Sequence, residues 1–235
     1  MGTAEKNEPP APGATRLHVG GKLSFRRRVR QVADRDLPCI DLTEHPPPLE
    51  RLVPEQFDTV EIEVGSGKGT FLLAAATAQP DVFFLGIEAA PGYARYAAER
   101  LQRASATNGL LLVDNAKLYL EDRVADGSVA RLHVYFSDPW PKRRHRKRRF
   151  FTPEMGDVIT RVLRPGGYLL CATDNAAYAG QICRLLGESE GLVRDAAEER
   201  RLHEAPPGHG FVPTSFDTKY QEQGRIIRRY AYRRP

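Results

Sequence analysis

Residues 60–69 read VEIEVGSGKG and contain the clearest structural signal of the sequence. The first half of this stretch alternates apolar and acidic side chains and is rich in β-branched residues, which predicts a strand over Val60–Val64. The turn that follows contains three glycines, Gly65, Gly67 and Gly69. Glycine adopts the backbone angles of a sharp turn at little cost and lets a ligand approach closely. The Ala-rich segment Thr70–Ala78 then predicts a helix, so the stretch begins a strand–turn–helix unit.

Counting this unit, strand and helix patterns alternate about five times, which predicts an α/β domain with a doubly wound, mostly parallel sheet. The expected strands are Val60–Val64, Val82–Ile87, Leu110–Val113, Leu132–Phe136, Tyr168–Ala172, Leu192–Ala196 and Arg228–Tyr232. The expected helices are Thr70–Ala78, Tyr93–Ala104, Ala116–Arg123, Pro153–Leu163 and Ala176–Leu186. Ligands of such sheets bind beyond the carboxyl ends of the strands, so the residues that follow each strand are the informative ones.

The domain organisation follows from length and composition. The 235 residues suggest one domain with an appendage. Residues 1–15 contain three prolines and no aromatic or β-branched apolar residue, so we expect a disordered tail. Residues 16–55 are interpreted as a basic, irregular N-terminal extension, and residues 56–235 as the folded domain.

Several classes of protein are disfavoured by composition. Mean hydropathy is −0.47, and no apolar run approaches the roughly 18 residues that span a bilayer, so no membrane association is expected. The cysteines lie far apart without a CxxC pair, which predicts neither a disulfide framework nor a zinc site. The histidines lack metal-ligand spacing, so no metal is expected. A reducing, cytoplasmic compartment is the expected location.

Positive charge is concentrated in one segment, Lys142–Arg149, which reads KRRHRKRR. Removing its seven Lys and Arg charges from the formal net charge of +5 leaves the rest of the chain at −2. Smaller arginine clusters lie at 26–30 and 225–234. Clustered basic charge indicates partners that carry phosphate. A solvated surface is the alternative, but the folded pattern on both sides of Lys142–Arg149 favours a binding role.

The glycine turn predicts a site for a nucleotide-like cofactor. A dinucleotide fingerprint would need Gly at position 70, where Thr stands. A phosphate-binding loop of an ATP enzyme would need Gly at position 62 and Ser or Thr at position 69, where Ile and Gly stand. Glu88, at the end of the next strand, is suited to accept hydrogen bonds from ribose hydroxyls. An acid-lined crevice that includes Glu61 and Glu63 favours the sulfonium S-adenosylmethionine over NAD or ATP, although Glu63 could also be an ordinary strand carboxylate.

From Phe136 onward the residues resemble a known family. Phe136-Ser137-Asp138-Pro139-Trp140-Pro141-Lys142, followed by Arg144-His145-x-Lys147-Arg148-Arg149, resembles the DPWxK-x-RHxKRR run of the tRNA (guanine-N7)-methyltransferase family, the TrmB type. The resemblance extends roughly from Leu23 to the C-terminus and includes 63–69, 86–88, 172–174 and 218–220.

This resemblance implies a Rossmann-like class I methyltransferase fold with seven strands, the last antiparallel, in residues 56–235. It implies S-adenosylmethionine as cofactor, tRNA as partner, and N7 of guanine 46 in the variable loop as methyl acceptor. A monomer or a homodimer is expected.

The resemblance also implies roles for particular residues. The cofactor residues are Glu63, Gly65, Gly67, Gly69, Glu88, Asn115 and Asp138, and Asp138 is also the catalytic candidate. The substrate residues are Lys142, Arg144, His145, Arg146, Lys147, Arg148, Arg149, Asp174, Thr218, Lys219, Tyr220 and Gln221. Asn115 stands where many members have Asp. Gln221 stands where members usually have Glu, so it keeps an acceptor but loses the charge.

The chemistry of such a transfer makes few demands on the protein. Guanine N7 keeps a lone pair and needs no deprotonation, so alignment and electrostatics are the main tasks. Asp138, at a strand end before Pro139, is suited to face the purine, with backbone capping as the alternative. Trp140 could stack on a base or anchor its loop, and residues 203–224 are expected to form a long loop over the target guanine. A non-catalytic RNA-binding protein and a methyltransferase for another RNA or a protein are the competing interpretations.

Overall fold

The computed structural model describes residues 37–41, 46–204 and 214–235. The predicted tail, residues 1–15, and most of the predicted extension, residues 16–55, lie outside the described residues, as does the arginine cluster at 26–30. The described end of the extension contains a short strand, β1 (Cys39–Ile40), and a short helix, α1 (Leu49–Leu52).

One sheet organises the domain, and its strands follow the order β1-β4-β3-β2-β5-β6-β8-β7 in the described part of the chain. The remaining strands are β2 (Val60–Val64), β3 (Phe83–Glu88), β4 (Gly109–Val113), β5 (Val129–Tyr135), β6 (Leu163–Thr173), β7 (Val193–Arg194) and β8 (Arg228–Arg233). All neighbours pair in parallel, except that β8 runs antiparallel to β6 and β7. The predicted α/β class and the antiparallel last strand are confirmed. The described sheet has one strand more than predicted because β1 pairs with β4.

Helices connect the strands, and their starts are set by local chemistry. The longer helices are α2 (Thr70–Ala78), α3 (Pro91–Arg103), α4 (Ala116–Arg123), α5 (Pro153–Val162), α6 (Ala176–Gly187), α7 (Ala196–Glu204) and α8 (Ser215–Glu222). Proline opens α3 and α5, where the missing backbone N–H is not needed. The side chains of Asn115 and Asn175 cap α4 and α6 by accepting a backbone N–H. In the described part of the chain, every helix is too short or too polar to span a lipid bilayer.

The sheet separates two apolar cores. One contains Ile62, Leu85 and Leu132, and the other contains Phe84 and Leu111. Neighbouring residues of a strand point to opposite faces, so each buried strand contributes to both cores. The acids of β2 therefore share the face that α2 and α3 cover, where the small side chains of these helices allow close packing.

Two predicted elements differ from the structure. The expected strand Leu192–Ala196 is reduced to Val193–Arg194, because Asp195 accepts backbone N–H bonds that start α7. The expected loop 203–224 contains α8 instead. Thr214 and Asp217 start that helix with a reciprocal capping box. Within this segment, residues 205–213 lie outside the described residues.

Candidate active site

The predicted site residues lie along the edge of the sheet where the parallel strands end. Strand β2 lies between β3 and β5, and β5 is followed by β6. The glycine turn after β2 is therefore flanked by Glu88 at the end of β3 and by the Asp138 loop after β5. Asp174 follows β6 at the same edge. The fold thus brings together residues that lie up to about a hundred positions apart in the sequence.

The glycine turn has two distinct functions. Gly65, Gly67 and Gly69 all have positive φ angles, of 74°, 52° and 66°. A Cβ on Gly69 would lie 2.6 Å from Cβ of Ala97, so this glycine lets α2 and α3 pack closely. A Cβ on Gly65 or Gly67 would meet nothing within 4 Å. These two positions leave room beside the backbone for a ligand.

Glu88 is held against the turn by two backbone hydrogen bonds. Its Oε2 accepts from the amide of Gly67 at 2.8 Å, and its Oε1 accepts from the amide of Ala90 at 2.9 Å. Each carboxylate oxygen can accept more than one hydrogen bond. The carboxylate is therefore oriented at the crevice and still able to accept bonds from ribose hydroxyls.

Glu63 is the residue whose environment most clearly indicates a ligand. Its side chain is buried, and its Oε2 has no hydrogen-bond partner in the described part of the protein. Burial raises the pKa of Glu63 to about 8; a hydrogen bond from Ser66 opposes the rise and the nearby charge of Glu88 adds to it. A buried carboxyl group without a partner is costly. A cationic ligand would supply the missing interaction.

Glu61, the other acid of β2, already has partners. Its Oε2 lies 2.8 Å from Nε2 of His133, and its Oε1 lies 3.8 Å from Nε of Arg131. The other ring nitrogen of His133 is 2.9 Å from the hydroxyl of Tyr135. The two acids that the sequence places together therefore differ, and Glu63 is the better candidate for contact with a cation.

Asp138 lies in a strained turn at the end of β5. Phe136 and Trp140, on either side of it, have φ angles of 52° and 37°. Positive φ is costly for bulky residues and is found mainly where the surroundings enforce it, often at functional sites. The amide of Phe136 donates to the carbonyl of Ala172 at 2.8 Å, which ties the start of the turn to β6. Asp138 itself is exposed at the rim.

Helix α8 covers this edge with aromatic side chains. The ring of Phe136 lies 5.9 Å from that of Phe216 and 5.4 Å from that of Tyr220. Burial raises the pKa of the Tyr220 hydroxyl; the charge of Asp174 adds to this, Arg225 opposes it, and Asp138 adds further. The charges of both carboxylates are therefore close enough to Tyr220 to influence its hydroxyl. The predicted substrate residues Lys219 and Tyr220 lie on α8, with Thr218 and Gln221 exposed beside them.

Asp174 has a partner that sequence reasoning did not identify. Its Oδ2 accepts from Nη1 of Arg225 at 2.6 Å, and the Arg225 guanidinium lies 4.7 Å from the ring centroid of Tyr220. The Arg225 side chain is half exposed. Such partly exposed ion pairs contribute little to stability, so a ligand could replace Arg225 at small cost. The sequence around Arg225 contains no local pattern that would predict its pairing with Asp174, which lies 51 positions earlier in the chain.

The basic segment forms a 3₁₀ helix, Arg143–Arg148, whose side chains are mostly exposed. In this geometry side chains three residues apart lie on the same edge. His145 and Arg148 share an edge and both contact Trp140, at 5.6 Å between ring centroids and 5.1 Å from guanidinium to ring. Of the two roles considered for Trp140, these contacts favour anchoring of the loop. Arg143, Arg144, Arg146 and Lys147 occupy the other two edges.

The C-terminal arginines do not form the single cluster that the sequence indicates. Arg228 pairs with Thr173 in the sheet, at the edge of the site, whereas Arg233 pairs with Tyr168 toward the opposite edge. Arg229 is buried, and its Nη2 donates to Oδ1 of Asp217 at 2.6 Å. Only part of this predicted basic surface therefore faces the crevice.

Two further predictions concern Asn115 and metal binding. Asn115 lies after β4, at the edge of the site, where its side-chain oxygen accepts the amide of Lys117 at 3.0 Å. This bond caps α4 and gives the residue a structural role. No cluster of His, Cys, Asp or Glu side chains suited to a metal occurs in the described ranges.

Comparison with known proteins identifies the family. Residues 58–230 match a family described as "Putative methyltransferase". A tRNA (guanine-N(7)-)-methyltransferase of Bordetella pertussis is 33% identical, over 82% of this chain and 77% of its own length. One of Xanthomonas campestris pv. campestris is 38% identical, over 71% of this chain and 62% of its own. The chain belongs to the tRNA (guanine-N7)-methyltransferase family.

Solved structures support the fold of this tRNA (guanine-N7)-methyltransferase family member. The 16S rRNA methyltransferase KamB has a TM-score of 0.53 at 19% identity, covering 77% of this chain and 90% of its own. The antibiotic-resistance methyltransferase Kmr has a TM-score of 0.50 at 17% identity, covering 77% and 88%. At these identities the likeness concerns the fold alone.

S-adenosylmethionine, the methyl donor of the tRNA (guanine-N7)-methyltransferase family, fits the crevice. The open backbone at Gly65 and Gly67 provides space, the Glu88 carboxylate is fixed beside the turn, and the buried Oε2 of Glu63 has no hydrogen-bond partner among the described residues. When bound, the cofactor supplies a methyl group on a sulfonium centre.

The pKa of Glu63 predicts how cofactor binding depends on pH. Because the pKa is about 8 in the ligand-free protein, binding of a cation to the carboxylate must first displace a proton. The affinity for S-adenosylmethionine should therefore rise about tenfold per pH unit below about pH 8 and level off above it. Calorimetric titration between pH 6 and 9 measures this.

The Glu63→Gln variant should lose this dependence on pH. Comparison with the unmodified protein distinguishes titration of Glu63 from titration of the ligand's amino group, because the ligand is the same in both experiments. Exposed Glu55 provides the matched control, because Glu55→Gln should keep the dependence. Identical pH profiles for the unmodified protein and Glu63→Gln would show that Glu63 does not titrate on binding.

Proposed function

We propose that this protein transfers the methyl group of S-adenosylmethionine to N7 of guanine 46 in the variable loop of tRNA. The main support for the proposal is that an acid-lined crevice and a cationic 3₁₀ helix follow two neighbouring strands. The crevice lies at the end of β2, and the 3₁₀ helix comes after β5, which pairs with β2. One part suits a sulfonium cofactor and the other suits a phosphate backbone. A cytoplasmic location and a monomeric or homodimeric state are further predictions of this proposal.

The transfer is an in-line displacement. The lone pair of N7 forms the new bond to the methyl carbon while the bond from that carbon to sulfur breaks, so positive charge moves from sulfur to the purine. No proton has to leave N7 before attack, and the protein must only align the reactants and stabilise the developing charge. We propose that the Asp138 carboxylate performs the second task, because it lies exposed at the rim and its charge is close enough to influence the hydroxyl of Tyr220.

Recognition of the RNA combines charge with an aromatic surface. The outward-facing cations of Arg143–Arg148 are suited to contact phosphates. Specific recognition of RNA generally uses unstacked bases that contact aromatic side chains. The Phe136–Tyr220 cluster, with Asp138 and Asp174 beside it, offers such a surface and carboxylates that can accept from the N–H groups of guanine.

The test is direct detection of the product. Purified protein is incubated with S-adenosylmethionine and unmodified tRNA, the RNA is digested, and 7-methylguanosine is measured by mass spectrometry. Chemical cleavage at 7-methylguanosine then locates the modified position. A tRNA with adenine at position 46 is the matched control and should give no product. Product at another position would refute the assignment to guanine 46. Product in ribosomal RNA alone, or no product at all, would refute a tRNA methyltransferase.

A further inference from the structure

Arg149, the last residue of the basic segment, differs from the cations before it because its guanidinium donates hydrogen bonds to the backbone of the loop and to α6. Its Nε donates to the carbonyl oxygen of Pro139 at 2.6 Å, and its Nη2 donates to that of Trp140 at 3.2 Å. Its Nη1 donates to the side-chain oxygen of Gln181 on α6. Arg149 therefore uses donors on three sides of its planar group inside the protein.

The same residue is tied to two helices. Its guanidinium lies 5.2 Å from the ring centroid of Tyr178, a buried residue of α6. Its backbone carbonyl accepts from Nζ of Lys117, on α4, at 2.9 Å. The loop from Pro139 to Arg149 is thus closed at both ends and fixed to α4 and α6.

The loop held in this way begins directly after Asp138. Pro139 and Trp140, whose carbonyls Arg149 binds, are the next two residues, and Trp140 has a φ angle of 37°. A strained conformation of this kind persists only when surrounding contacts enforce it. The bonds from Arg149 are such contacts, and their loss would let the Asp138 turn relax.

We propose that Arg149 is a positioning residue, which holds the Asp138–Trp140 turn in its reactive geometry and does not bind tRNA phosphate. This inference rests on the proposed function, because it assumes the methyl-transfer reaction. It gives Arg149 a different role from the neighbouring cations of the same segment. Lysine cannot replace arginine in this role, because a single ammonium group does not match a planar fork that reaches two carbonyls and a side-chain amide.

The experiment compares Arg149 with Arg146, an exposed member of the same segment. Each is changed to Lys, which keeps the charge, and to Gln, which removes it. Two quantities are measured: the single-turnover rate of methyl transfer at saturating tRNA, and the slope of log Kd for tRNA against log salt concentration. The slope counts phosphate contacts, at about 0.7 to 0.9 per contact.

For Arg149 we expect both variants to lower the saturated rate about 10- to 100-fold, since small displacements of a reacting group have effects of this size. The salt slope should be unchanged, and lysine should not rescue the rate. For Arg146 we expect the Gln variant to reduce the magnitude of the salt slope by about 0.7 to 0.9, which corresponds to one phosphate contact. This variant should raise the Kd for tRNA and leave the rate at saturating tRNA little changed. Lysine should restore binding there.

A second variant guards against simple unfolding. Gln181→Leu removes one partner of Arg149 from outside the basic segment, so it should lower the saturated rate in the same direction with unchanged slope. S-adenosylmethionine affinity, measured in parallel, should be unchanged in all Arg149 and Gln181 variants, which a general loss of structure would not allow.

The proposal is overturned if Arg149→Gln reduces the salt slope by one contact, or if the Arg149 variants change neither rate nor slope. Failure of the proposed function gives a different result. An unmodified protein that binds tRNA but makes no 7-methylguanosine would refute that function, while the slopes would still decide whether Arg149 contacts phosphate.

Discussion

A protein carrying Asp138→Ala should bind S-adenosylmethionine almost normally and transfer its methyl group about 100- to 1,000-fold more slowly. The reason is electrostatic. Positive charge appears on the purine as the reaction proceeds, and a carboxylate at the rim of the site stabilises the transition state more than the ground state. The cofactor, for which Glu88 and the glycine turn are the proposed contacts, should be affected little, with its Kd within about threefold of that of the unmodified protein.

Single-turnover measurements at saturating cofactor and tRNA test this directly. Asp138→Asn keeps the shape and removes the charge, so it should be nearly as slow as the alanine variant. Asp81→Ala is the matched control, because Asp81 is exposed before β3 and lies at the opposite edge of the sheet. An unchanged single-turnover rate in Asp138→Ala would leave this residue only the capping role considered as its alternative.

Gly69→Ala should lower the free energy of unfolding by about 2 to 5 kcal/mol. Two effects add. Alanine is strained at a φ angle of 66°, and its methyl group would lie 2.6 Å from Cβ and 3.2 Å from Cα of Ala97. The second contact is with backbone, so relief would require α2 and α3 to separate. Urea unfolding of the ligand-free protein measures the loss.

Two other glycines provide matched comparisons. Gly180 lies inside α6, where an added methyl group would meet nothing within 4 Å, so Gly180→Ala should be neutral or stabilising by up to about 1 kcal/mol. Gly65 has a φ angle of 74° but open space beside it, so Gly65→Ala should cost only the strain, about 1 to 2 kcal/mol, and should weaken cofactor binding. Equal stability of Gly69→Ala and Gly180→Ala would refute the role of Gly69 in helix packing.

The sequence predicts most accurately where local signals agree. The bounds of α2 and α4 match the expected helices Thr70–Ala78 and Ala116–Arg123, because a glycine turn opens the first and Asn115 caps the second. Strand β6 begins at Leu163 rather than Tyr168, because Leu163 already pairs with Val129 of β5. The turn-like residues Arg164–Gly167 lie within a register shift, and pairing with β5 resumes at Tyr168.

The less accurate predictions depend on contacts between distant residues. Helix α8 has no marked apolar periodicity, and its one local signal was the capping pair Thr214 and Asp217. The placement of Glu63, Glu88 and Asp138 at the site could be predicted, because these residues lie at or near strand ends and belong to motifs that resemble those of the family. The inward direction of Arg149 could not be predicted, because it depends on Gln181 and Tyr178, about thirty residues away on another helix.

Because Arg143–Arg148 forms a 3₁₀ helix, its basic side chains recur at fixed positions around the helix axis. With a rise of about 2.0 Å per residue and three residues per turn, cations on one edge recur about every 6 Å. One edge lies against Trp140, and the other two point outward. Reordering the same residues would conserve the net charge but turn different side chains toward the indole. The order of residues in the segment, and not only its net charge, therefore determines which cations are exposed.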